Sequence, residues 1–298
     1  MKLPKQTEQL IKKRNSLREK GLFKEADKIR EAILSQGYEL QDNHKTKIFK
    51  KNSKPKPKFI IIFGSGEISH NGRRIHERAF SQIGKKNIQI SIITTPAGFQ
   101  PNVKVVHEEI AQFFSNHLKN FKPQINIIYA NNKNLANDKK IIQPLDKADY
   151  IMVGPGSPTY AVNNLKDTLL LEKIKEKIKQ DTTLAIASAA AIAFSKYCLP
   201  VYEIYKAGQP LHWQKGLNFY ESFIKPVTVV PHFNNHEGGW KTDTSYCYMG
   251  RERFTKLFNS LPKGEEIWGI DEQTAVIVNL KDKKPQIFGK GRLQKLIA

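Results

Sequence analysis

Ser188 is the residue whose local sequence best fits a chemical role. It lies between an apolar run, 183–187, and a run of small residues, 189–193, within the stretch TTLAIASAAAIAF. The first run predicts a buried strand and the second predicts the start of a buried helix. A serine at such a sharp strand-to-helix turn presents its hydroxyl at the carboxyl edge of the sheet, facing backbone N–H groups of the helix. The alternative is a buried strand–helix junction whose serine has no chemical role.

Two glycine-rich loops follow other apolar runs and are predicted to lie beside this serine. The loop Gly64-Ser-Gly66-Glu67 follows the run 59–63, and the loop Gly154-Pro-Gly156-Ser157-Pro158 follows the run 150–153. The exposed amides around Gly156 would suit an oxyanion hole, together with the N–H group of Ala189. Gly66, Glu67 and Ser157 are expected to line the pocket. The first loop lacks the third glycine of a dinucleotide-binding motif, so we expect no nicotinamide or flavin cofactor.

The segment 231–253, PHFNNHEGGWKTDTSYCYMGRER, is unusually rich in polar and aromatic residues. Six of its side chains are predicted to line or brace a pocket: Asn234, Asn235, Glu237, Asp243, Tyr246 and Arg251. The spacing of His232 and His236 would fit zinc binding on a helix. Pro231 and the pair Gly238-Gly239 disfavour a helix here, so no metal is expected. The alternative is a loop that only holds itself together by hydrogen bonds.

Strands and helices alternate from residue 59 onward. Apolar runs predict strands at 59–63, 88–94, 125–129, 150–153 and 183–187, and a helix is predicted over 102–118. Alternation of this kind indicates a parallel sheet with helices on both faces. Ligands of such sheets bind beyond the carboxyl ends of the strands, where both glycine loops and Ser188 are expected to meet.

The composition is that of a strongly basic, globular protein. Lysine and arginine number 49 against 28 acidic residues, a formal charge of +21. This excess favours binding to polyanions such as RNA, although a proteome rich in lysine would produce the same excess. There is neither an apolar run of membrane-spanning length nor a signal-peptide core, and the two cysteines do not suggest a disulfide framework. We therefore expect a cytoplasmic protein that does not bind a membrane.

The first 45 residues are predicted to form a separate helical module. Apolar residues recur at helical spacing over 8–20 and 23–36, and a short alternating segment follows at 38–42. The pattern resembles the small C-terminal helical module of cysteinyl-tRNA synthetases. The matching residues are Arg14, Arg18, Phe23, Ala26, Asp27, Ile29, Arg30, Gly37, Leu40 and Asp42. The resemblance implies contact with tRNA, for which Arg14, Arg18, Lys28 and Arg30 are the candidates. A solvated hairpin used for packing or dimerisation is the alternative.

Residues 46–58 are predicted to be a basic linker. Two Lys-Pro steps favour extended polyproline II geometry, and the many lysines keep the segment hydrated. The boundary of the α/β domain, 59–298, is placed at its end.

The α/β domain resembles peptidase family S51, the group of aspartyl dipeptidases and cyanophycinases. The segments that carry the likeness are GSGE, GPGSPTYAVNNL, SAAA, PHF and GIDEQTA, in the order of the family. The resemblance implies a three-layer αβα sandwich with a mainly parallel sheet, of the class I glutamine amidotransferase-like type. It also implies that Ser188 is the nucleophile, that His232 is the base and that Glu272 is the third member of the triad. Glu203 matches a further acidic position beside the site in some members.

Two positions depart from the family pattern, which has glycine two residues before and two after the serine. Ile186 and Ala190 occupy these positions, and Ile186 is expected to crowd the oxyanion. The leading functional hypothesis is a serine-dependent hydrolase of an amide or ester bond, acting on a small peptide or on a tRNA-linked substrate, without a cofactor. The competing hypothesis is a non-catalytic protein that binds tRNA, other RNA or a small molecule. Amidotransfer is disfavoured because Ser188 stands where those enzymes have cysteine.

Overall fold

A computed structural model describes residues 3–36, 38–43, 45–50 and 59–298. The chain divides into two compact units, 1–56 and 57–298. The first unit contains α1 (Lys5–Glu19), α2 (Phe23–Ser35), β1 (Tyr38–Asn43) and β2 (Lys45–Lys50). Its core is formed by Ile11, Ile33 and Leu40. The two predicted helices and the first strand are thus observed to within a few residues.

The prediction of an extended linker is wrong for residues 46–50. These residues belong to β2, which pairs antiparallel with β1 in the register Leu40 to Ile48. Thr46, Ile48 and Phe49 are interspersed among the lysines of this segment. A paired strand gives its backbone N–H and C=O groups protein partners, whereas polyproline II geometry would leave them to water. Residues 51–58, the rest of the predicted linker, lie outside the described residues.

The second unit is built on a seven-stranded sheet with the order β13-β12-β3-β7-β6-β4-β5. Its strands are β3 (Phe59–Phe63), β4 (Gln89–Ile93), β5 (Gln124–Ile128), β6 (Tyr150–Val153), β7 (Thr183–Ala187), β12 (Thr274–Asn279) and β13 (Pro285–Gly289). The strands from β3 to β5 in this order run parallel, whereas β12 and β13 are antiparallel to their neighbours. This arrangement confirms the mainly parallel sheet that the sequence predicts.

Helices cover both faces of this sheet, as the three-layer prediction requires. They are α3 (His70–Ile83), α4 (Val103–His117), α5 (Lys139–Ile142), α6 (Pro158–Leu165), α7 (Leu169–Lys179), α8 (Ala189–Ala193), α9 (Val201–Tyr205), α10 (Ser245–Tyr248) and α11 (Gly250–Asn259). Ile61 packs with α3 and α4 in one core, while its neighbours Ile60 and Ile62 pack with α6, α7 and α8 in the other. Alternate strand residues therefore supply two separate cores. Within the described ranges, no helix is long and apolar enough to cross a bilayer.

A smaller three-stranded sheet stands beside the main one and has the order β10-β11-β14. Its strands are β10 (Thr228–Val230), β11 (Glu266–Ile270) and β14 (Leu293–Ile297), and a short pair, β8 (Tyr197–Cys198) and β9 (Gln214–Lys215), lies apart from both sheets. Strands β10 and β11 are parallel, with Val230 opposite Gly269. The residues that follow these two strands, His232 and Glu272, consequently emerge at the same edge.

Candidate active site

Ser188 occupies the sharp turn between β7 and α8, where the sequence places it. Its backbone angles are φ 52° and ψ −118°, a left-handed region that residues with a side chain rarely adopt. The residues of α8 after it are all buried alanines or isoleucine, so the helix lies close to the sheet. The strained turn holds the hydroxyl away from the core and toward the second sheet.

His232 and Glu272 complete a hydrogen-bonded chain with this serine. Ser188 Oγ lies 3.1 Å from His232 Nε2, and His232 Nδ1 lies 2.8 Å from Glu272 Oε1. Because a carboxylate only accepts, Nδ1 carries the proton and donates to Glu272, which leaves Nε2 free to accept from the serine hydroxyl. This is the order of partners that activates a serine nucleophile.

Two asparagines hold Glu272 in place. Asn235 Nδ2 donates to Glu272 Oε1 at 2.9 Å, and the Glu272 backbone N–H donates to Asn234 Oδ1 at 2.7 Å. The hydrogen bond from His232 is the main cause that lowers the pKa of Glu272, with a smaller contribution from Asn235, so the carboxylate is ionised at neutral pH. Asn234 and Asn235 therefore brace the triad rather than line the cavity.

The zinc arrangement considered for His232 and His236 is not formed. The segment after β10 is not helical at these positions. Both ring nitrogens of His232 face Ser188 and Glu272, and His236 lines a different cavity. Across the part of the chain that the structure describes, no cluster of three histidine, cysteine or acidic side chains could hold a metal.

The loop around Gly156 supplies the second wall of the site. Gly156 has φ +147°, and a Cβ atom there would lie 2.0 Å from the carbonyl oxygen of Pro96. Only glycine allows this approach. Among the described residues, no backbone or side-chain group accepts a hydrogen bond from the N–H of Gly156 or of Ala189. Both residues line the cavity with Ser188, so their amides are available to an oxyanion.

The cavity at Ser188 has a volume of about 390 Å³. Besides the serine, the histidine and the two oxyanion residues, it is lined by Pro158, Ile192, Val201, Tyr202, Tyr205, Lys206, Glu237, Cys247 and Tyr248. Of these, only Glu237 was predicted as a pocket residue. Tyr202 and Tyr205 lie on α9, Lys206 directly follows it, and Tyr248 is the last residue of α10. Neither short segment carries a distinctive sequence motif.

The wall next to α9 is a strained segment, whose Tyr248 ring lies 5.4 Å from the ring of Tyr205. Tyr246, Cys247 and Tyr248 all have positive φ, at 54°, 56° and 68°. Tyr248 Oη donates to Glu237 Oε2 at 2.7 Å, and burial together with this carboxylate raises the pKa of the phenol. A run of three left-handed residues with side chains has no recognisable sequence pattern, so the sequence did not predict this turn.

Trp240, in the loop between β10 and α10 that also contains Glu237, is 91% exposed.

The first glycine loop does not line the Ser188 cavity, contrary to the prediction for Gly66 and Glu67, but lies beside the residues of the triad. Gly66, with φ +75°, packs against the side chain of Gln273, the residue after Glu272. Glu67 lies close enough to His232 for their charges to interact, and burial raises the pKa of its carboxyl. The Glu67 carbonyl accepts a hydrogen bond from the buried His76 at 2.9 Å. The third predicted pocket residue of this edge, Ser157, caps α6 through the N–H of Tyr160 at 3.2 Å.

Tyr246 and Arg251 do not line the Ser188 cavity, contrary to the sequence prediction. They line a separate cavity of about 570 Å³ together with Asp243. Tyr246 stacks on Phe254 with ring centroids 4.5 Å apart, and Asp243 accepts from the N–H groups of Ser245 and Arg251. The left-handed backbone at Tyr246 turns its ring away from the serine, which the sequence pattern did not reveal.

Glu203 is not part of the triad. Its Oε1 accepts a hydrogen bond from Thr159 Oγ1, and Glu272 is the carboxylate that pairs with His232. Glu203 lines a small cavity next to that of Ser188. Its assignment to the catalytic group is therefore not supported by its position.

The two departures from the family pattern lie inside the core. Ile186 and Ala190 are fully buried and pack in the core cluster of α6, α7 and α8, and neither lines the Ser188 cavity. The expectation that Ile186 crowds the oxyanion is thus wrong, because its side chain is fully buried in this core and does not reach the cavity.

In the first unit, the four residues predicted to contact RNA differ in exposure. Arg14 is only 1% exposed, so its guanidinium is not available to a phosphate, contrary to the prediction. Arg18 lies over the ring of Phe23 at 5.6 Å, and Arg30 donates to the Leu40 carbonyl at 3.2 Å. Lys28 is exposed on α2. The tRNA contact itself remains a prediction.

The chain is similar to a known protein family and to solved structures. Residues 60–285 match the family model for peptidase family S51. A crystal structure of a peptidase from an acI-B1 actinobacterium has the same fold, with a TM-score of 0.61, 20% identity, and coverage of 82% of this chain and 96% of that one. A candidate peptidase E from Listeria monocytogenes EGD-e has a TM-score of 0.54 and 17% identity, covering 79% of this chain and 100% of that one. No curated protein matches the sequence. Since the family model spans most of the chain, this protein belongs to peptidase family S51.

Proposed function

We propose that this protein is a serine hydrolase that cleaves an amide or ester bond through Ser188. The observation that carries the proposal is the chain of contacts from Ser188 through His232 to Glu272, with distances of 3.1 and 2.8 Å. Membership of a peptidase family supports the same chemistry. The histidine, whose Nδ1–H is held by an ionised carboxylate, presents Nε2 as the general base that a serine hydroxyl requires.

The first half of the reaction follows from these positions. Ser188 Oγ attacks the carbonyl carbon of the substrate as its proton passes to His232 Nε2. The negative charge that develops on the carbonyl oxygen is stabilised by the N–H groups of Gly156 and Ala189. His232 then gives the proton to the leaving nitrogen or oxygen, the bond to the leaving group breaks, and an acyl-enzyme ester remains on Ser188.

Water completes the cycle by the same route. A water molecule loses a proton to His232 Nε2 and attacks the ester carbonyl, so a second tetrahedral intermediate forms in the same oxyanion hole. When it collapses, the proton returns to Ser188 Oγ and the carboxylic acid leaves. Glu272 stays ionised throughout and stabilises the imidazolium in both halves.

The cavity restricts the substrate to a small group. A volume of about 390 Å³ holds one or two residues of a peptide, not a folded chain. The three tyrosines, at positions 202, 205 and 248, provide apolar surface with hydroxyl groups, and Lys206 and Glu237 add one charge of each sign. We infer a short peptide or a single acyl group as the substrate.

A fluorophosphonate probe tests the proposal directly. The wild-type protein is expected to be labelled on Ser188, and labelling is expected to disappear in Ser188→Ala and His232→Ala. Ser195→Ala is the matched control, because Ser195 is a fully buried serine whose Oγ donates to the Ala191 carbonyl. Undiminished labelling of Ser188→Ala would refute the assignment of Ser188, and no labelling of the wild type would favour the non-catalytic alternative.

A second candidate substrate is an aminoacyl ester on tRNA. The observation that favours it is the basic first unit, with Lys28 exposed on α2, in a chain of net charge +21. An ester is also a more reactive electrophile than a peptide bond, so it places a smaller demand on the site. We propose a deacylation assay over a panel of charged tRNAs, comparing the wild-type protein with Ser188→Ala and Lys28→Glu. Deacylation of one species that is lost in Ser188→Ala and weakened by Lys28→Glu would support this substrate, and no deacylation above Ser188→Ala would exclude it.

A further inference from the structure

Glu203 is a carboxylate that the protein itself does not satisfy. Its Oε1 accepts a hydrogen bond from Thr159 Oγ1, and that hydroxyl is also 2.9 Å from Ser157 Oγ. Its Oε2 is buried and accepts no hydrogen bond. Within the described residues, no lysine, arginine or histidine forms an ion pair with Glu203. A largely desolvated carboxylate without a counter-ion is costly, which suggests that a ligand supplies the positive charge.

The carboxylate faces a cavity that adjoins the one at Ser188. This second cavity has a volume of about 360 Å³. Tyr202 lines both cavities, and the start of α6 runs between them, with Gly156 and Pro158 on the Ser188 side and Ser157 and Thr159 on the other. A substrate whose carbonyl is held at Ser188 can therefore extend past Tyr202 toward Glu203.

The rest of the lining suits an organic cation. Phe99 and Tyr160 form a ring pair with centroids 5.0 Å apart, and Tyr202 adds a third ring. Aromatic faces attract a cation, and a lone carboxylate adds one ion pair and an acceptor for its N–H groups. Among the described residues, no group of three histidine, cysteine or acidic side chains forms around Glu203, so the lining does not favour a metal ion.

We propose that Glu203 and the three rings bind a protonated amine of the substrate while its scissile carbonyl lies at Ser188. The inference rests on the proposed function and names the chemistry that the site selects. The Glu203 carboxylate supplies the negative charge for the ammonium group, and Thr159 holds Oε1 so that the carboxylate keeps its orientation. Glu203 is thus a specificity residue that contacts the substrate and takes no proton from Ser188.

A matched pair of phosphonate probes tests this assignment. The two probes share the same reactive phosphorus and leaving group, and one ends in an aminoalkyl chain whereas the other carries the N-acetylated amine. Second-order rates of Ser188 labelling are measured for the full-length protein and for Glu203→Gln and Thr159→Val. The wild type is expected to prefer the free amine by about tenfold or more, as one desolvated ion pair would give.

In Glu203→Gln the ratio of the two labelling rates should fall to about one, because glutamine preserves the shape and the Thr159 contact but carries no charge. Thr159→Val should reduce the preference by a smaller factor. Equal rates of the two probes on the wild-type protein would overturn the subsite even if neither variant folded, and would leave the serine chemistry standing. Failure of both probes to label the wild type would instead refute the proposed function and, with it, this inference.

Discussion

Ser188 and His232 face each other across 3.1 Å, and both hold left-handed backbone angles, with φ of 52° and 51°. The His232 backbone is fixed on two sides, because its N–H donates to the Gly64 carbonyl at 3.0 Å and its carbonyl accepts from the Cys247 N–H at 3.1 Å. Two residues in a costly conformation persist only where the surroundings determine them strongly. The geometry of the pair is therefore set by the fold before any ligand binds.

The strain at Ser188 predicts a difference between two inactive variants. Ser188→Ala removes the hydroxyl but keeps a side chain at φ 52° and ψ −118°, whereas Ser188→Gly also relieves the backbone strain. We expect the glycine variant to have a free energy of unfolding about 1 kcal/mol higher than that of the alanine variant. Urea denaturation of both proteins measures this. Equal stabilities, or a less stable glycine variant, would show that the turn is not strained.

The ionised Glu272 predicts a large effect of a neutral replacement. Glu272→Gln keeps the size of the side chain but no longer fixes the His232 tautomer, so the labelling rate of Ser188 should fall by about 100-fold or more. Asn235→Ala removes one hydrogen bond to the same oxygen and should cost about tenfold or less. Rates of fluorophosphonate labelling give both values. A smaller loss for Glu272→Gln than for Asn235→Ala would contradict the assigned roles.

The close approach of Gly156 to Pro96 predicts that this glycine is irreplaceable. In Gly156→Ala the new Cβ would lie 2.0 Å from the Pro96 carbonyl oxygen, so the loop must move and its N–H must leave the oxyanion position. We expect the labelling rate to fall by about 100-fold. Gly208→Ala is the matched control, since Gly208 also has positive φ, at +70°, but its Cβ would meet nothing within 4 Å. Comparable losses in both variants would mean that φ rather than the contact with Pro96 matters.

Ala190 stands where the family pattern has glycine, and its burial in the core predicts a structural role. Ala190→Gly removes a buried methyl group and loosens α8, so the free energy of unfolding should fall by about 1 kcal/mol. Because Ala190 does not line the cavity, the labelling rate should stay within about threefold of the wild type, less than the loss expected for one missing oxyanion donor. Denaturation and labelling of the same preparation test the two statements. A large loss of labelling with unchanged stability would place the alanine in the site after all.

The buried His76 predicts a loss of stability in acid. Its Nε2–H donates to the Glu67 carbonyl, its Nδ1 accepts from Tyr150 Oη at 2.6 Å, and burial lowers its pKa to about 4. Between pH 6.5 and 4, the unfolded state therefore binds a proton that the folded state does not. The free energy of unfolding should decrease over this interval by up to about 3 kcal/mol.

His76→Gln provides the control for this pH dependence. The variant should be less stable at pH 7, but it should lose less stability than the wild type when the pH falls to 4.5. Other titrating groups contribute equally to both proteins and cancel in the comparison. Parallel curves for the two proteins would show that His76 does not carry the effect.

The sequence predicted the central strands better than the walls of the cavity. The strands 59–63, 150–153 and 183–187 are observed at the predicted bounds, because strands buried on both faces appear as uninterrupted apolar runs. Ser188, His232 and Glu272 could be named because each follows a strand within a recognisable motif. Tyr202, Lys206 and Tyr248 could not be named, since they depend on short helices and on left-handed turns that any sequence pattern conceals. The strand β2 was not predicted, because a lysine-rich segment does not have the apolar pattern of a strand and its pairing with β1 cannot be read from its composition.

The tryptophans differ in solvent exposure, so the intrinsic fluorescence of the protein distinguishes two of its regions. Of its three tryptophans, Trp268 is 1% exposed and Trp213 is held by a hydrogen bond to the Leu257 carbonyl, whereas Trp240 is 91% exposed. All three belong to the second unit, and Trp240 lies in the loop between β10 and α10, which also contributes Glu237 to the wall of the cavity. The long-wavelength part of the emission spectrum, and its quenching by acrylamide, will therefore report on this loop, while the short-wavelength part reports on the core.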